Sequence, residues 1–142
     1  LKKCNPDIKA MAFFHMPPAE FKEAYEKMKL GNHTVIYEHG SIGEKDEYFG
    51  ISNRPPHFFE KAVDNGWLKW IFCGHDHLNT LSLTYKGIRM TYGMSIDYLG
   101  YSGIAKQYIQ RGATLITRKT DGNIDITMVP LTTVVSTRVR GA

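Results

Sequence analysis

The sequence predicts an α/β domain built on one β-sheet with helices on one face. Short apolar runs give way to stretches in which apolar residues recur at helical spacing. Two polar turns in the later part separate pairs of β-like segments, as in hairpins. The order strand, helix, helix, strand and hairpins is typical of a sheet covered by helices on one side. With 142 residues, the chain is long enough for one domain with a modest core.

The first part of the chain is predicted to contain a strand and two helices. The elements are a strand at 10–14, a helix at 18–30, a mostly irregular stretch at 31–54 with one short strand allowed at 35–37, and a helix at 56–65. Pro17 and Pro18 end the strand because paired prolines cannot continue a hydrogen-bond ladder. Gly31 is typical of the residue that follows a helix C-terminus.

The second part is predicted to consist mainly of strands. The elements are a buried strand at 67–73, a hairpin pairing 80–85 with 88–92, and a hairpin pairing 113–119 with 124–129. Lys86-Gly87 and Asp121-Gly122-Asn123 are the expected turns. The glycine- and tyrosine-rich segment at 93–112 is predicted to be a loop, and 131–142 either a last strand or an extended arm.

Composition excludes some classes of partner. The chain has 18 basic and 14 acidic residues, a net charge of +4, and the basic residues are scattered, so we expect no nucleic-acid partner. No apolar run approaches the roughly 18 residues of a membrane helix, so we expect no membrane association. Cys4 and Cys73 are not in a CxxC motif, and Cys73 is expected to be a buried free thiol. This cysteine usage favours the cytoplasm but leaves the compartment open.

Histidines follow two of the predicted strands. Gly74-His75-Asp76-His77 comes directly after the strand at 67–73, and Gly74 is expected to permit the tight turn. Histidines at i and i+2 can direct both rings to one point or to two nearby metal ions. His15 also follows a strand, so neighbouring strands would bring all three histidines to one sheet edge as a metal site. For any one of them alone, a hydrogen-bonded loop histidine is the alternative.

Two motifs carry a resemblance to a known family. They are Phe13-Phe14-His15-Met16-Pro17 with Glu20-Phe21, and Phe72-Cys73-Gly74-His75-Asp76-His77-Leu78-Asn79. They resemble the last two motifs of the calcineurin-like metallophosphoesterases, most closely the purple-acid-phosphatase-like branch, and the similarity extends over about residues 11 to 118. The resemblance implies that residues 1–142 are the C-terminal portion of one metallophosphoesterase domain. That portion would be half of a four-layer α/β/β/α sandwich, with one mostly mixed sheet, helices on one face and hairpins.

The resemblance also implies a ligand set. His15 and His75 would bind one metal ion and His77 a second, the two being divalent or Fe, Zn or Mn ions. The carboxylate and asparagine ligands of the family come from an N-terminal half that this sequence does not contain. Gly31-Asn32-His33 imitates one of the missing motifs, but it follows the first histidine motif and lacks the next acidic residue, so we reject it as a ligand.

Other residues are expected around this site. Asp76 is interpreted as a turn residue or one that orients a ligand, and Asn79 as a residue that orients the loop by hydrogen bonding to backbone. Glu44 is a candidate for the edge of the site. Tyr101, with Tyr92 and Tyr98, is a candidate for lining a substrate cleft, although a packing role is the alternative for all three.

The function implied by the resemblance is the hydrolysis of phosphate esters by two metal ions. The substrate could be a monoester, a diester or a nucleotide. Because this half supplies no catalytic residue and no carboxylate ligand, the chain alone is predicted to be inactive. An uncovered sheet face would then pair with the missing N-terminal half or with a second copy. The alternative is a non-catalytic binding or interaction module that has kept a phosphoesterase-like half-fold.

Overall fold

A five-stranded mixed sheet forms the centre of the computed structural model, which describes residues 7–51, 57–97, 100 and 111–131. The elements are β1 (Ala10–Phe13), α1 (Ala19–Lys29), β2 (Val35–His39), a short 3-10 helix (Lys45–Glu47), α2 (His57–Asn65), β3 (Leu68–Cys73), β4 (Ser82–Tyr85), β5 (Ile88–Tyr92), β6 (Gly112–Arg118) and β7 (Ile124–Pro130). The strand order is β1-β3-β5-β4-β2. β1, β3 and β5 are parallel to one another, whereas β4 is antiparallel to both β5 and β2. The predicted α/β class with a mixed sheet is confirmed.

Both helices pack on the same face of this sheet. Their buried side chains belong to one apolar cluster with the inward side chains of the strands, and the cluster includes Phe21, Ala24, Phe59, Ala62, Ile71, Leu83, Ile88, Met90 and Tyr92. Ile71, Met90 and Leu83 are register partners across β3, β5 and β4, so they present one continuous apolar surface to the helices. No helix within the described ranges is long and apolar enough to span a membrane.

The region at 31–54 is more regular than predicted. β2 extends from Val35 to His39 and pairs antiparallel with β4, and a 3-10 helix follows at Lys45–Glu47. Only Val35 of β2 is buried, so the strand lacks the alternation that marks a half-buried strand in a sequence. This strand therefore forms because its backbone pairs with the otherwise open edge of β4, and not because its side chains are buried.

Both predicted hairpins are present. Lys86 and Gly87 connect β4 to β5 with φ values of 49° and 76°, the left-handed pair that a two-residue hairpin turn requires. β6 and β7 form a separate two-stranded sheet with register from Gly112↔Pro130 to Arg118↔Ile124. A bond from Lys9 Nζ to Asn123 Oδ1 at 2.6 Å ties this hairpin to the start of β1.

The second face of the five-stranded sheet is mixed and partly open. Phe13 stacks on Phe72 with ring centroids 5.1 Å apart, yet Phe13 remains 64% exposed. Towards the other end of β1, a cavity of about 140 Å³ separates Met11 and Trp70 from Ile124 of the hairpin. Cys4, Tyr98, Tyr101 and 132–142 lie outside the described residues, so the expectations for them have no structural counterpart here.

Candidate functional site

Two parallel strands bring His15 and His75 to the same edge of the sheet. Phe13 is the register partner of Phe72, so β1 and β3 end side by side. The ladder continues past both strands: the Phe14 N–H donates to the Phe72 carbonyl at 2.9 Å, and the Gly74 N–H donates to the His15 carbonyl at 3.0 Å. The backbone thus holds the two histidine-bearing loops in register before any side chain is considered.

The rings of His15 and His75 contact each other directly. Nε2 of His15 lies 3.1 Å from Nδ1 of His75, and the rings meet edge to face at an interplanar angle of 84°. The pair is exposed to solvent. Two ring nitrogens at this separation either share one proton as donor and acceptor or direct two lone pairs at one cation.

In the turn that carries these histidines, the unusual backbone conformation falls on a histidine. His75 has φ of 70°, in the left-handed region that residues with a Cβ rarely adopt. Gly74 does not have positive φ, and a Cβ built there would meet only the His15 carbonyl oxygen at 3.9 Å. The expectation that Gly74 permits the turn was therefore wrong, since the unusual conformation falls one residue later.

Asp76 points into the protein. Its side chain is buried, and Oδ2 accepts hydrogen bonds from the Gly50 N–H at 2.9 Å and the Tyr92 hydroxyl at 2.5 Å. Burial, followed by this bond to Asp76, raises the pKa of Tyr92 well above its usual range. Tyr92 is fully buried and belongs to the core, so of the two roles left open for it the structure confirms packing and not the lining of a cleft.

Asn79 and Glu44 bind the histidine loop to the segment before α2. Asn79 is fully buried, and its Oδ1 accepts the N–H groups of Gly43 and Glu44 at 3.0 and 3.1 Å. Its Nδ2 donates to the Tyr48 carbonyl at 3.1 Å. In return, Oε1 of Glu44 accepts the Leu78 N–H at 3.0 Å. These are the backbone hydrogen bonds expected of Asn79, and they place Glu44 beside the loop rather than on a remote surface.

Gly50 is a site residue that sequence reasoning missed. A Cβ built there would lie 2.0 Å from Cδ2 and 2.6 Å from Nε2 of His75, and 2.7 Å from Oδ1 of Asp76. Only glycine lets this segment approach the histidine ring so closely. Gly50 is far from the histidine motif along the chain, and no spacing rule connects the two.

His77 has a different environment from the other two histidines. Its Nδ1 lies 2.9 Å from Oδ2 of Asp97, with 32% and 33% of the two side chains exposed. Its carbonyl accepts a hydrogen bond from Arg111, which is 2% exposed. Asp97 and Arg111 both come from the glycine- and tyrosine-rich stretch predicted only as loop, and sequence reasoning assigned neither of them a role.

Comparison with known proteins finds three relatives that share a family name. The chain is 28% identical over 91 residues to "Probable inactive purple acid phosphatase 29" of Arabidopsis thaliana, and 32% identical over 92 residues to "Probable inactive purple acid phosphatase 28" of the same organism. These matches cover 64% and 65% of the chain. A third, to "Probable inactive purple acid phosphatase 14", is 38% identical over 47 residues and covers 33% of the chain. The chain is similar to purple-acid-phosphatase-like proteins.

The similarity to purple-acid-phosphatase-like proteins is partial in extent. The matched part spans 21% of purple acid phosphatase 29, 20% of purple acid phosphatase 28 and 12% of purple acid phosphatase 14. No family model matches the chain, and no solved structure matches it. The mixed sheet with two helices on one face is compatible with part of a metallophosphatase fold.

Purple-acid-phosphatase-like proteins generally use metal ions, so the donor set here decides what the chain could contribute to such a site. Within the described ranges, no group of three or more His, Cys, Asp or Glu side chains is arranged to hold a metal ion. The structure brings His15 and His75 together and pairs His77 with Asp97. Tyr101 lies outside the described residues. The three predicted ligands therefore form a pair, His15 with His75, and a separate histidine, His77, rather than one cluster of three.

Proposed function

We propose that this chain supplies part of the two-metal site of a phosphoesterase that hydrolyses phosphate esters. His15 and His75 would bind one ion, and His77 the other. The similarity to proteins named as probable inactive purple acid phosphatases supports a phosphoesterase-like family. One geometric observation supports the ligand assignment: Nε2 of His15 and Nδ1 of His75 lie 3.1 Å apart at the ends of parallel strands.

The separation of these two nitrogens fits a shared ion. Nitrogens about 2.0–2.1 Å from one zinc ion lie roughly 2.9–3.4 Å apart for bond angles between a right angle and the tetrahedral angle. Imidazole suits zinc and iron, and the family resemblance also allows manganese, so the residue type alone does not choose the ion. Both rings are uncharged when they act as ligands, and they therefore add no negative charge that would repel a phosphate.

The residues beneath the histidines fix their position. Asp76 accepts from Gly50 and Tyr92, which anchors the loop to the core, and the absence of a side chain at Gly50 leaves room for the His75 ring. Metal ions bound in such a site supply Lewis-acid stabilisation of the phosphate and activate water near neutral pH. The contribution of the chain is to hold imidazole nitrogens in place in advance, so that little reorganisation accompanies binding.

The chain by itself is proposed to be inactive. Its described residues contribute no carboxylate to the His15–His75 pair, and three histidines could hold at most one ion weakly. We also propose that the open sheet face around Phe13 pairs with the N-terminal half of the complete domain or with a second copy. The curated relatives are several times longer than this chain, which leaves room for the remaining ligands in a longer protein.

Binding of a single metal ion tests the ligand assignment. Isothermal titration with Zn²⁺ should give weak binding of at most one ion, and both His15→Gln and His75→Asn should abolish it. His33→Gln is the matched control, because His33 is an exposed histidine outside the site. Equal zinc binding by the wild type and both site variants would overturn the assignment.

Turnover tests the reaction class. The protein encoded by the complete reading frame, loaded with Zn²⁺, Mn²⁺ or iron, should hydrolyse p-nitrophenyl phosphate or its diester, and the 142-residue chain should not. Loss of that turnover in His75→Asn of the longer protein would place the histidine pair in the reaction. A longer protein that binds metal and phosphate without turnover would instead favour the non-catalytic binding module.

A further inference from the structure

Asp97 lies outside every motif that the sequence singles out, yet it contacts a proposed ligand. Its Oδ2 is 2.9 Å from Nδ1 of His77, and this nitrogen is the one on the side of the ring nearer the backbone. Asp97 is twenty residues later in the chain, so the contact comes from folding of the loop after β5 and not from local spacing.

The chemistry of this pair determines which ring nitrogen carries the proton. An ionised carboxylate can only accept hydrogen bonds, so Nδ1 of His77 must be the donor. In a neutral imidazole the other nitrogen, Nε2, then carries the lone pair and can act as an acceptor or a ligand. The His15–His75 contact has no such bias, because either nitrogen can be the donor there.

Two further contacts hold His77 and Asp97 together. Arg111, which is almost fully buried, donates to the carbonyl of His77 and so fixes the backbone from which the ring projects. Gly100 lies against the pair: a Cβ there would be 2.1 Å from Oδ2 of Asp97 and 2.5 Å from Nδ1 of His77. A side chain at position 100 would therefore displace the carboxylate, the ring or both.

We propose that Asp97 is a positioning residue that keeps the proton of His77 on Nδ1 and directs the Nε2 lone pair towards a divalent cation. The role of His77 as a ligand rests on the proposed function, whereas the position of its proton does not. Carboxylates that accept from a ligand histidine fix its tautomer and raise its basicity, and their loss typically lowers metal affinity by about 10–100-fold.

The position of the proton can be measured without metal or substrate. Long-range ¹H–¹⁵N NMR of the full 142-residue chain, at about pH 8 where an ordinary imidazole is neutral, separates the two tautomers. We expect His77 to carry its proton on Nδ1. Asp97→Asn should shift His77 towards the Nε2-protonated form, because an amide can donate to Nδ1, and Asp97→Glu should restore the original form. Asp64→Asn, an exposed aspartate of α2, is the matched control and should change nothing.

A second variant covers the case in which Asp97→Asn disturbs folding. Gly100→Ala leaves the carboxylate in the chain but forces it away from the ring, so it should give the same loss of tautomer preference. Preserved dispersion of the amide signals shows that either variant is folded. If His77 carries its proton on Nε2 in the wild type, or if neither variant changes the tautomer, Asp97 does not position it.

Zinc titration followed at the histidine signals separates this inference from the proposed function. In the longer protein, which would hold both ions, Zn²⁺ should perturb His77 at Nε2, and Asp97→Asn should weaken that effect by about 10–100-fold. If Zn²⁺ perturbs none of His15, His75 and His77, the proposed ligand assignment fails for this chain, while the tautomer result still decides whether Asp97 positions the ring. If Asp97→Asn changes the tautomer but not the zinc response of His77, the carboxylate does not tune a ligand.

Discussion

The hydroxyl of Tyr92 donates to Oδ2 of Asp76 across 2.5 Å, and this bond joins the hydrophobic core to the histidine loop. Tyr92 is fully buried, and its ring stacks on Phe21 of α1 with centroids 5.0 Å apart. Asp76 stands between His75 and His77 in the sequence. The position of the candidate ligands therefore depends on a packed aromatic residue of β5 as well as on the strands that precede them.

Removal of the Tyr92 hydroxyl should destabilise the protein measurably. Tyr92→Phe leaves the ring packed but removes one of the two hydrogen bonds that Oδ2 of the buried Asp76 carboxylate accepts from Gly50 and Tyr92, which should lower the free energy of unfolding by about 1.5–3 kcal/mol. Urea unfolding followed by circular dichroism measures this. Tyr37→Phe is the control, since Tyr37 is 55% exposed and its hydroxyl donates to the Gly40 carbonyl in an exposed hydrogen bond and not to a buried carboxylate. Equal stability losses in the two variants would contradict the prediction.

The same residue predicts a loss of stability at alkaline pH. Burial, and then the bond to Asp76, raises the pKa of Tyr92 above its ordinary value of 10.0. The unfolded chain releases this proton near pH 10, while the folded protein retains it. The contribution of the Tyr92 hydroxyl to the free energy of unfolding is therefore complete below about pH 10 and declines as pH rises further. The difference in unfolding free energy between wild type and Tyr92→Phe should shrink between about pH 9.5 and 11. A difference that stays constant over that range would exclude the linkage.

Cys73 should be unreactive in the folded protein. Its thiol is buried and donates to the Thr91 carbonyl at 3.7 Å, and burial, with the nearby Asp76 carboxylate, raises its pKa well above 9.0. Because the thiolate is the nucleophile, alkylation by iodoacetamide should proceed only from unfolded molecules. Mass spectrometry of a Cys4→Ser protein, with and without urea, measures the two rates. Similar rates in both conditions would show that Cys73 is accessible.

Gly50→Ala should separate His15 from His75. The added methyl would overlap the His75 ring, so the ring must move, and overpacking of this kind costs about 1–3 kcal/mol of stability. The imidazole NMR signals of both histidines report the displacement. Gly74→Ala is the matched control, because its nearest neighbour outside the adjacent residues is the His15 carbonyl oxygen at 3.9 Å. Unchanged imidazole signals in Gly50→Ala would contradict the close packing described above.

Neutralisation of two glutamates of α1 should change the stability of the protein in opposite directions. Burial raises the pKa of Glu20, so its charge opposes folding at neutral pH, whereas the hydrogen bond from Lys27 lowers the pKa of Glu23. The stability that the Glu20 carboxyl group contributes is present below pH 4.5 and is lost as pH rises. The stability that Glu23 contributes is present above pH 4.5 and is lost as pH falls. Near pH 7, Glu20→Gln should raise and Glu23→Gln should lower the midpoint of thermal unfolding. Shifts of the same sign in both variants would refute this.

The contact between the first two histidines could be anticipated from the sequence. Apolar runs that end in His15 and in the Gly74–His77 motif are typical of strands whose carboxyl ends share an edge, and the parallel pairing of β1 with β3 confirms that these strands are neighbours. The exposed strand β2 could not be predicted to its full length. Its side chains carry almost no burial pattern, and its extent depends on the backbone groups that β4 offers to it.

The surroundings of the histidines were beyond sequence reasoning. Gly50 and Gly100 matter because their backbones approach His75 and His77 closely, and closeness between distant loops leaves no periodic signal. Asp97 lies in a stretch whose composition indicates only a loop. The left-handed conformation of His75 could not be predicted either, because a sequence rule would assign that conformation to the neighbouring Gly74.

The edge position of β1 has a consequence for folding and dynamics. In the described part of the chain β1 has one neighbour, β3, and the ribosome completes α1, β2 and α2 before that neighbour exists. The β1–β3 pairing therefore closes a long loop, and we expect it to form late. Edge strands also open more readily than central ones, so amide hydrogens of β1 should exchange faster than those of β3. Each opening of β1 would carry His15 away while His75 stays, and the lifetime of the histidine pair is then set by the docking of one four-residue strand, not by the stability of the whole sheet.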